Sequence, residues 1–291
     1  MLATNGRLKI VIQRSGRLTE DSVALLRACG LSFEFSTQSL YSPCRNFDLD
    51  ILAIRDDDIP EYVQDGVADL GIVGENILRE KKASVRQLSA LGFGSCKLML
   101  AIPQRSTYRD LRDLNGKRIG TTYPNTLKAF LADHRIKAEI IKLSGSVELA
   151  PSLDVADAIC DIISTGTTAR MNGLRPFVPV LESQAMLIAN KRSLATQKKA
   201  RLIDRLMIRI RGCQEARGKR YLMMNAPAHA LARLQRIIPS LKSPTIVPLA
   251  QTGMVAVHSV VAEDVFWDVM EKLKAAGASD IIVVPIETII R

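Results

Sequence analysis

The segment best equipped for chemistry runs from Glu148 to Thr168, ELAPSLDVADAICDIISTGTT. It sets carboxylates at Asp154, Asp157 and Asp161 around an apolar strand, followed by hydroxyls about one glycine, Ser164-Thr165-Gly166-Thr167-Thr168. A sugar phosphate calls for that combination. Backbone N–H groups and hydroxyls converge on phosphate oxygens, glycine lets the backbone come close, and a following helix N-terminus adds partial positive charge. Ribose hydroxyls donate as well as accept, so carboxylates ahead of the loop can hold them. A Ser-Thr-Gly turn alone serves equally well as a plain connection, and acids at a strand edge are usually just solvated. The whole string is what points to a phosphoribosyl site.

Alternating strands and helices must carry this loop. Leu8 to Gln13 (LKIVIQ) predicts a buried strand, Thr19 a helix cap, and Gly30 the end of that helix. Leu49 to Ile54 predicts a second strand, with Asp56-Asp57-Asp58 read as first-turn carboxylates of a short helix closed by Gly66. Ala68 to Val73 is the next strand and leads through Gly74-Glu75-Asn76 into a helix. A new block begins near Cys96, with strands at Lys97–Ile102, Lys117–Thr121, Ala138–Leu143 and Ala158–Ile163, and a helix opened by Tyr123-Pro124. This alternation predicts α/β units with largely parallel sheets, whose ligands gather at strand carboxyl ends. The last block reads βαββαβ: a short strand Tyr221–Met224, a helix from Pro227, strands Thr245–Leu249 and Met254–Val261, a helix Glu263–Ala276, and a strand Asp280–Ile286. That order is ferredoxin-like.

Composition narrows the chemistry. The 291 residues suit two or three domains, and 47 % apolar content is ample for packed cores. Cys29, Cys44, Cys96, Cys160 and Cys213 lie far apart with no CxxC pair, and His134, His229 and His258 form no ligand spacing. Neither a zinc site nor a disulfide framework is expected. The net charge of +10 suits nucleic acid or anionic small substrates. Lys198, Lys199, Arg201, Arg205, Arg209 and Arg211 accompany Leu202, Ile203, Leu206, Met207 and Ile210 at helical spacing, which reads as a solvated basic face over a buried stripe. The aromatic interleaving of single-strand binders is missing, so no nucleic-acid partner is expected. No apolar run approaches the roughly 20 residues that span a bilayer, and the polar Met1–Arg7 does not read as a signal peptide. The expectation is a cytoplasmic protein without a membrane partner.

Nearly end to end, from Arg7 to Ile290, the chain resembles the ATP phosphoribosyltransferases of the long form. The resemblance is carried by Gln13-Arg14-Ser15-Gly16-Arg17-Leu18, by Arg55 to Ile59, by Asp69-Leu70-Gly71-Ile72-Val73-Gly74-Glu75-Asn76, by Gly145-Ser146-Val147-Glu148, by Ala156 to Gly166 and by Ala275 to Asp280. It implies two periplasmic-binding-protein-like α/β domains forming a cleft, plus the C-terminal ferredoxin-like βαββαβ domain that the short form lacks. The implied domains are residues 1–95 with 179–212, residues 96–178, and a regulatory domain at 213–291.

The resemblance also implies a reaction, in which N1 of ATP joins C1 of phosphoribosyl diphosphate with release of pyrophosphate, the first step of histidine biosynthesis. Mg²⁺ is expected mainly on the substrate diphosphate, and no protein metal ligands are assigned. Histidine is the implied feedback inhibitor, and the implied assembly shifts between homodimer and hexamer. Ser164, Thr165, Gly166, Thr167 and Thr168 are expected to bind the 5-phosphate, and Asp161 the ribose, supported by Asp157 or Glu148. Arg17, Asp69, Gly71, Glu75 and Tyr123 are expected on the ATP side, with Arg17 and Lys97 as electrostatic candidates for catalysis. Tyr123 reads equally as an adenine-stacking ring or as packing at a helix start. After the loop this chain has Ala169-Arg170-Met171 where the family usually continues with leucine and a charged residue, a change confined to the following helix. Two lobes around a cleft also describe solute-binding proteins and the effector domains of regulators, but neither a leader nor a helix-turn-helix is read ahead of them. A catalytically silent nucleotide-binding paralogue is the harder alternative.

Overall fold

The computed structural model describes residues 6–36, 38–163, 170–238 and 244–290. These fall into two compact units, Met1–Arg27 with Leu31–Asp204, and Ala28–Gly30 with Arg205–Arg291.

The first unit holds two sheets. In the first sheet β1 (Leu8–Gln13) lies parallel between β3 (Leu49–Ile54) and β4 (Leu70–Gly74), with β2 (Tyr41–Pro43) at the outer edge. Beyond β4, β11 (Ala185–Ala189) runs antiparallel, followed by β5 (Arg86–Ala90). In the second sheet β7 (Arg118–Thr121) lies parallel between β8 (Glu139–Lys142) and β9 (Ala158–Ile162). There β6 (Cys96–Pro103) runs antiparallel beside β9, with β10 (Leu174–Ser183) outside it. Each sheet therefore winds its parallel strands in the order second, first, third, and then takes an antiparallel strand from a chain crossing. The chain crosses at β5–β6 and returns at β10–β11, which makes two interlocked α/β lobes of the periplasmic-binding-protein-like kind. Parallel strands are covered on both faces, which is why β1 reads as a mainly apolar run and is buried along most of its length. One cluster of buried side chains reaches from Val11, Ile59 and Val63 to Leu98, Ile119 and Leu127, joining both lobes.

Two expected site residues are structural in this unit. Asp69, just before β4, is 2 % exposed. Its carboxylate accepts from the Lys9 backbone N–H at 2.8 Å, the Ser193 hydroxyl at 2.5 Å and the Lys199 ammonium at 2.7 Å. It ties β1 and β4 to the helices α5 (Lys191–Ala195) and α6 (Gln197–Ala216) at the end of β4 remote from Gly74. Gly71 lies inside β4 beneath α2 (Ile59–Gln64), where an added Cβ would come within 2.8 Å of Ile59 and 2.9 Å of Val63. Both residues are buried within the unit.

Local chemistry also departs from expectation at α1 (Arg17–Ala28). Thr19 does not cap it; the Thr19 side chain is buried within the helix and its hydroxyl has no partner among the described residues. The Gln13 side chain reaches forward from β1 and accepts from the Leu18 N–H at 3.0 Å instead. Gly30 ends the helix at φ +72°, as the pattern required. The stripe on α6 is buried from Leu202 to Ile210 as its spacing predicted.

The second unit is the βαββαβ domain. Its strands β12 (Lys219–Pro227), β13 (Thr245–Pro248), β14 (Met254–Ala262) and β15 (Ser279–Pro285) form an antiparallel sheet in the order β13-β14-β12-β15. Before it in the chain come α3 (Glu75–Lys81) and α4 (Pro124–Asp133) of the first unit; its own helices are α7 (Leu231–Ile237) and α8 (Glu263–Ala275). They share one core with the sheet around Leu222, Met224, Leu234, Val257 and Leu273. Pro227 closes β12 rather than opening a helix, because its ring fits an extended strand end and α7 starts only after a short 3₁₀ turn. No helix among the described residues is long and apolar enough to cross a membrane.

Removing the buried Asp69 carboxylate leaves an ammonium, a hydroxyl and a backbone N–H without their acceptor. Asp69→Ala is expected to cost about 2 kcal/mol or more, since Lys199 keeps partial access to water. A lower urea midpoint at unchanged slope would show it.

Candidate active site

The carboxyl ends of β1, β4 and β9 point into the space between the lobes. A pocket of about 300 Å³ lies there, walled by Gln13, Arg17, Asp56, Asn76, Cys96 and Tyr123. It shares Asp56 with a cavity of about 550 Å³ that adds Arg14, Ser15 and Arg55. It shares Cys96 with a third, of about 320 Å³, at the two crossing strands. The three form one groove, with arginines gathered at the ends of β1 and β3.

Asp161 sits at the cleft end of β9. Burial pushes its carboxyl above the usual aspartate range, the negative charge of Glu148 adds to the rise, and the Ile162 N–H at 2.8 Å and the Arg17 guanidinium oppose it. These influences bring Arg17, Glu148 and Asp161 into one electrostatic neighbourhood. Asp56 is likewise raised, first by burial and then by the adjacent Asp57. Such carboxylates lack full solvation, which suits them to accept from ligand hydroxyls or amines. Tyr123 presents a 9 % exposed ring, and burial pushes its phenol up, so the hydroxyl stays protonated. That hydroxyl accepts from Asn76 Nδ2 at 3.1 Å, and Ser183 Oγ donates to Asn76 Oδ1 at 2.9 Å.

Arg17 and Tyr123 thus line the pocket, Asp161 lies in electrostatic reach of both, and Glu148 lies in reach of Asp161. Asp157 is elsewhere, at the opposite end of β9, where Arg118 donates to it from backbone and side chain and holds its carboxyl below the usual range. Glu75 opens α3 and pairs with Arg79 at 2.9 Å, while its neighbours Gly74 and Asn76 line the pocket. Lys97 pairs with Glu182 at 2.7 Å on the rim of the crossing-strand cavity, with both side chains well exposed. Ser164, Thr165, Gly166, Thr167 and Thr168 lie outside the described residues; β9 and Ile163 lead directly to them. Gln13, Asp56 and Asn76 were not expected in the site. The signal available was their position, each one at or just past the end of a parallel strand.

The carboxylates of Asp56 and Glu182 line the groove together with Arg14, Arg17, Arg55 and Lys97. Among the described residues no three His, Cys, Asp or Glu side chains gather as a metal cage. An ion such as Mg²⁺ that keeps its waters and rides on substrate oxygens needs no full protein cage.

Comparison with known proteins agrees with this architecture. The family model HisG, ATP phosphoribosyltransferase, matches residues 55–212, and that of the HisG C-terminal domain matches residues 216–288. An ATP phosphoribosyltransferase of Cytophaga hutchinsonii is 45 % identical over 284 residues, covering 98 % of this chain and 99 % of that protein. A solved chain from the ATP phosphoribosyl transferase (HisG:HisZ) complex of Thermotoga maritima superposes with a TM-score of 0.59 at 30 % identity, covering 70 % of this chain and 98 % of that one. The chain belongs to the ATP phosphoribosyltransferase family in its long form, and is a pentosyltransferase of histidine biosynthesis.

Proposed function

We propose that the cleft joins N1 of the adenine of ATP to C1 of phosphoribosyl diphosphate and releases pyrophosphate. The observation that supports this reading is that Arg17 lies in electrostatic reach of the part-buried Asp161, at the end of the strand that runs into Ser164–Thr168. An anion-holding loop, a ribose-holding carboxylate and a guanidinium then share one cleft.

Adenine N1 already offers a lone pair, so no general base is required to make the nucleophile. The N1–C1 bond forms as the C1–O bond breaks, and the bonding electrons leave with pyrophosphate. The sugar passes through an oxocarbenium-like state while negative charge grows on the leaving group. Positioning and preorganised charge are what the protein must supply. Ser164 to Thr168 hold the 5-phosphate, Asp161 accepts from the ribose hydroxyls with Glu148 nearby, and Arg17 faces the phosphates. The Tyr123 ring forms a wall for adenine, with its hydroxyl held by Asn76. Mg²⁺ on the diphosphate offsets its charge when bound. Asp69, Gly71, Glu75, Asp157 and Lys97 act on the site through packing or pairing and not by contact. The C-terminal domain binds histidine as a feedback inhibitor in a homo-oligomer of dimers and hexamers.

Purified protein with ATP, phosphoribosyl diphosphate, Mg²⁺ and a pyrophosphatase is expected to accumulate N1-modified adenine, followed by its absorbance, and histidine is expected to suppress it. Folded protein that binds ATP yet makes no product would instead favour a binding protein of the same shape. Arg17→Ala is expected to lower kcat/KM by about a hundredfold, the scale of a lost charge contact in the transition state; a change under twofold would remove Arg17 from the site. Because the Asp161 pKa is raised, the carboxylate form disappears on acidification at a higher pH than for an ordinary aspartate. The acid limb of kcat/KM for phosphoribosyl diphosphate is therefore expected above the normal aspartate range, and absent in Asp161→Asn.

A further inference from the structure

Helix α4 begins at Pro124, directly after Tyr123, and no side chain of its own N-cap residue satisfies its first N–H groups. Orphan donors at a helix start need acceptors. Here they come from the other lobe. Glu80, in the last turn of α3, accepts from the Asn125 N–H at 2.9 Å through Oε1, and from the Thr126 N–H and hydroxyl, both at 2.9 Å, through Oε2. The exchange is reciprocal, since Asn125 Nδ2 donates at 3.1 Å to the Glu80 carbonyl, one of the orphan acceptors at the end of α3.

One turn earlier on the same face of α3, Asn76 donates to the Tyr123 hydroxyl. Asn76 is itself locked, because Ser183 Oγ donates to its Oδ1 and accepts its backbone N–H at 3.0 Å. Gly74 leaves room for this arrangement, since a Cβ there would fall on Asn76 Oδ1. Asn76, Tyr123 and Ser183 are all buried, so these bonds are shielded from water. On the far side, Thr121 Oγ1 accepts from the Tyr123 N–H at 2.9 Å.

We infer that Glu80 and Asn76 are positioning residues that act through Tyr123, clasping the start of α4 so that the aromatic wall of the cleft stands at one fixed distance from the lobe that carries Arg17. The inference rests on the reading of Tyr123 as the adenine wall. A carboxylate at a helix N-terminus is also favoured by the helix dipole, so the clasp joins the lobes without burying an unpaired charge. Loss of the clasp should fall on ATP more than on phosphoribosyl diphosphate, whose proposed 5-phosphate and ribose contacts lie mainly on β9 and the loop after it.

The test uses the full chain and needs no turnover. Amide hydrogen exchange and calorimetric binding of ATP and of phosphoribosyl diphosphate are compared for wild type, Glu80→Gln and Glu80→Ala. In Glu80→Ala the Asn125 and Thr126 amides are expected to lose protection while the interior of α4 keeps its own. The Kd for ATP is expected to rise about tenfold, with that for phosphoribosyl diphosphate changing less than about twofold, and Glu80→Gln, which keeps one acceptor oxygen, should fall between. Unprotected amides with unchanged ATP affinity would reduce Glu80 to a structural cap and overturn the inference. Equal loss of both ligands would overturn it too. Wild type that binds ATP without forming product would count against the proposed reaction and leave this comparison readable.

Discussion

A parallel strand must be covered on both faces and must return by a crossover, and this double requirement governs the first unit. It forces helices onto both sides of each sheet and sends the connections of β1, β3, β4 and β9 out at the same ends. The two crossings of the chain then set those ends opposite one another. Residues at the finish of a strand, such as Gln13, Gly74 and Ile162, line the cleft. Residues at the start of a strand are enclosed by packing. Asp69 and Asp157 occupy such positions, and both are consumed by local partners.

The same geometry assigns opposite electrostatic characters to carboxylates on one strand. Asp157 receives a backbone N–H and a guanidinium, so its charged form is favoured. Asp161 is buried beside another acid, so its charged form is disfavoured despite Arg17. Nothing in the side chains distinguishes them; desolvation and neighbours do. A carboxylate that the protein itself leaves undersatisfied is the one with capacity for a ligand. Asp56 follows the same logic at the end of β3, although a triplet of acids before a helix looks like simple capping.

The C-terminal domain obeys a different constraint. Its antiparallel strands pair in the order β13-β14-β12-β15 and need helices on one face only, which α7 and α8 supply. Its alternating strands and its two helix stripes therefore show in the primary structure as a separate rhythm from the lobes.

By itself the amino-acid sequence determined the alternation of strands and helices, the βαββαβ order, the buried stripe of α6, the glycine stop at Gly30 and the family. All of these are written in local periodicity or in contiguous motifs, and local chemistry suffices to read them. Asp161 and Arg17 could be proposed for the site for the same reason, each lying beside a recognisable loop. Only the tertiary structure decided that Asp69 and Asp157 have partners within the fold and that Gly71 lies beneath α2, that Gln13 and not Thr19 caps α1, and that Asn76 and Glu80 reach across to Tyr123 and α4. Those outcomes depend on which end of a strand faces the cleft and on partners distant along the chain, such as Asn76 and Ser183. A motif records which residues are neighbours in sequence, but burial, and with it the choice between binding a ligand and bracing the fold, is set by neighbours in space.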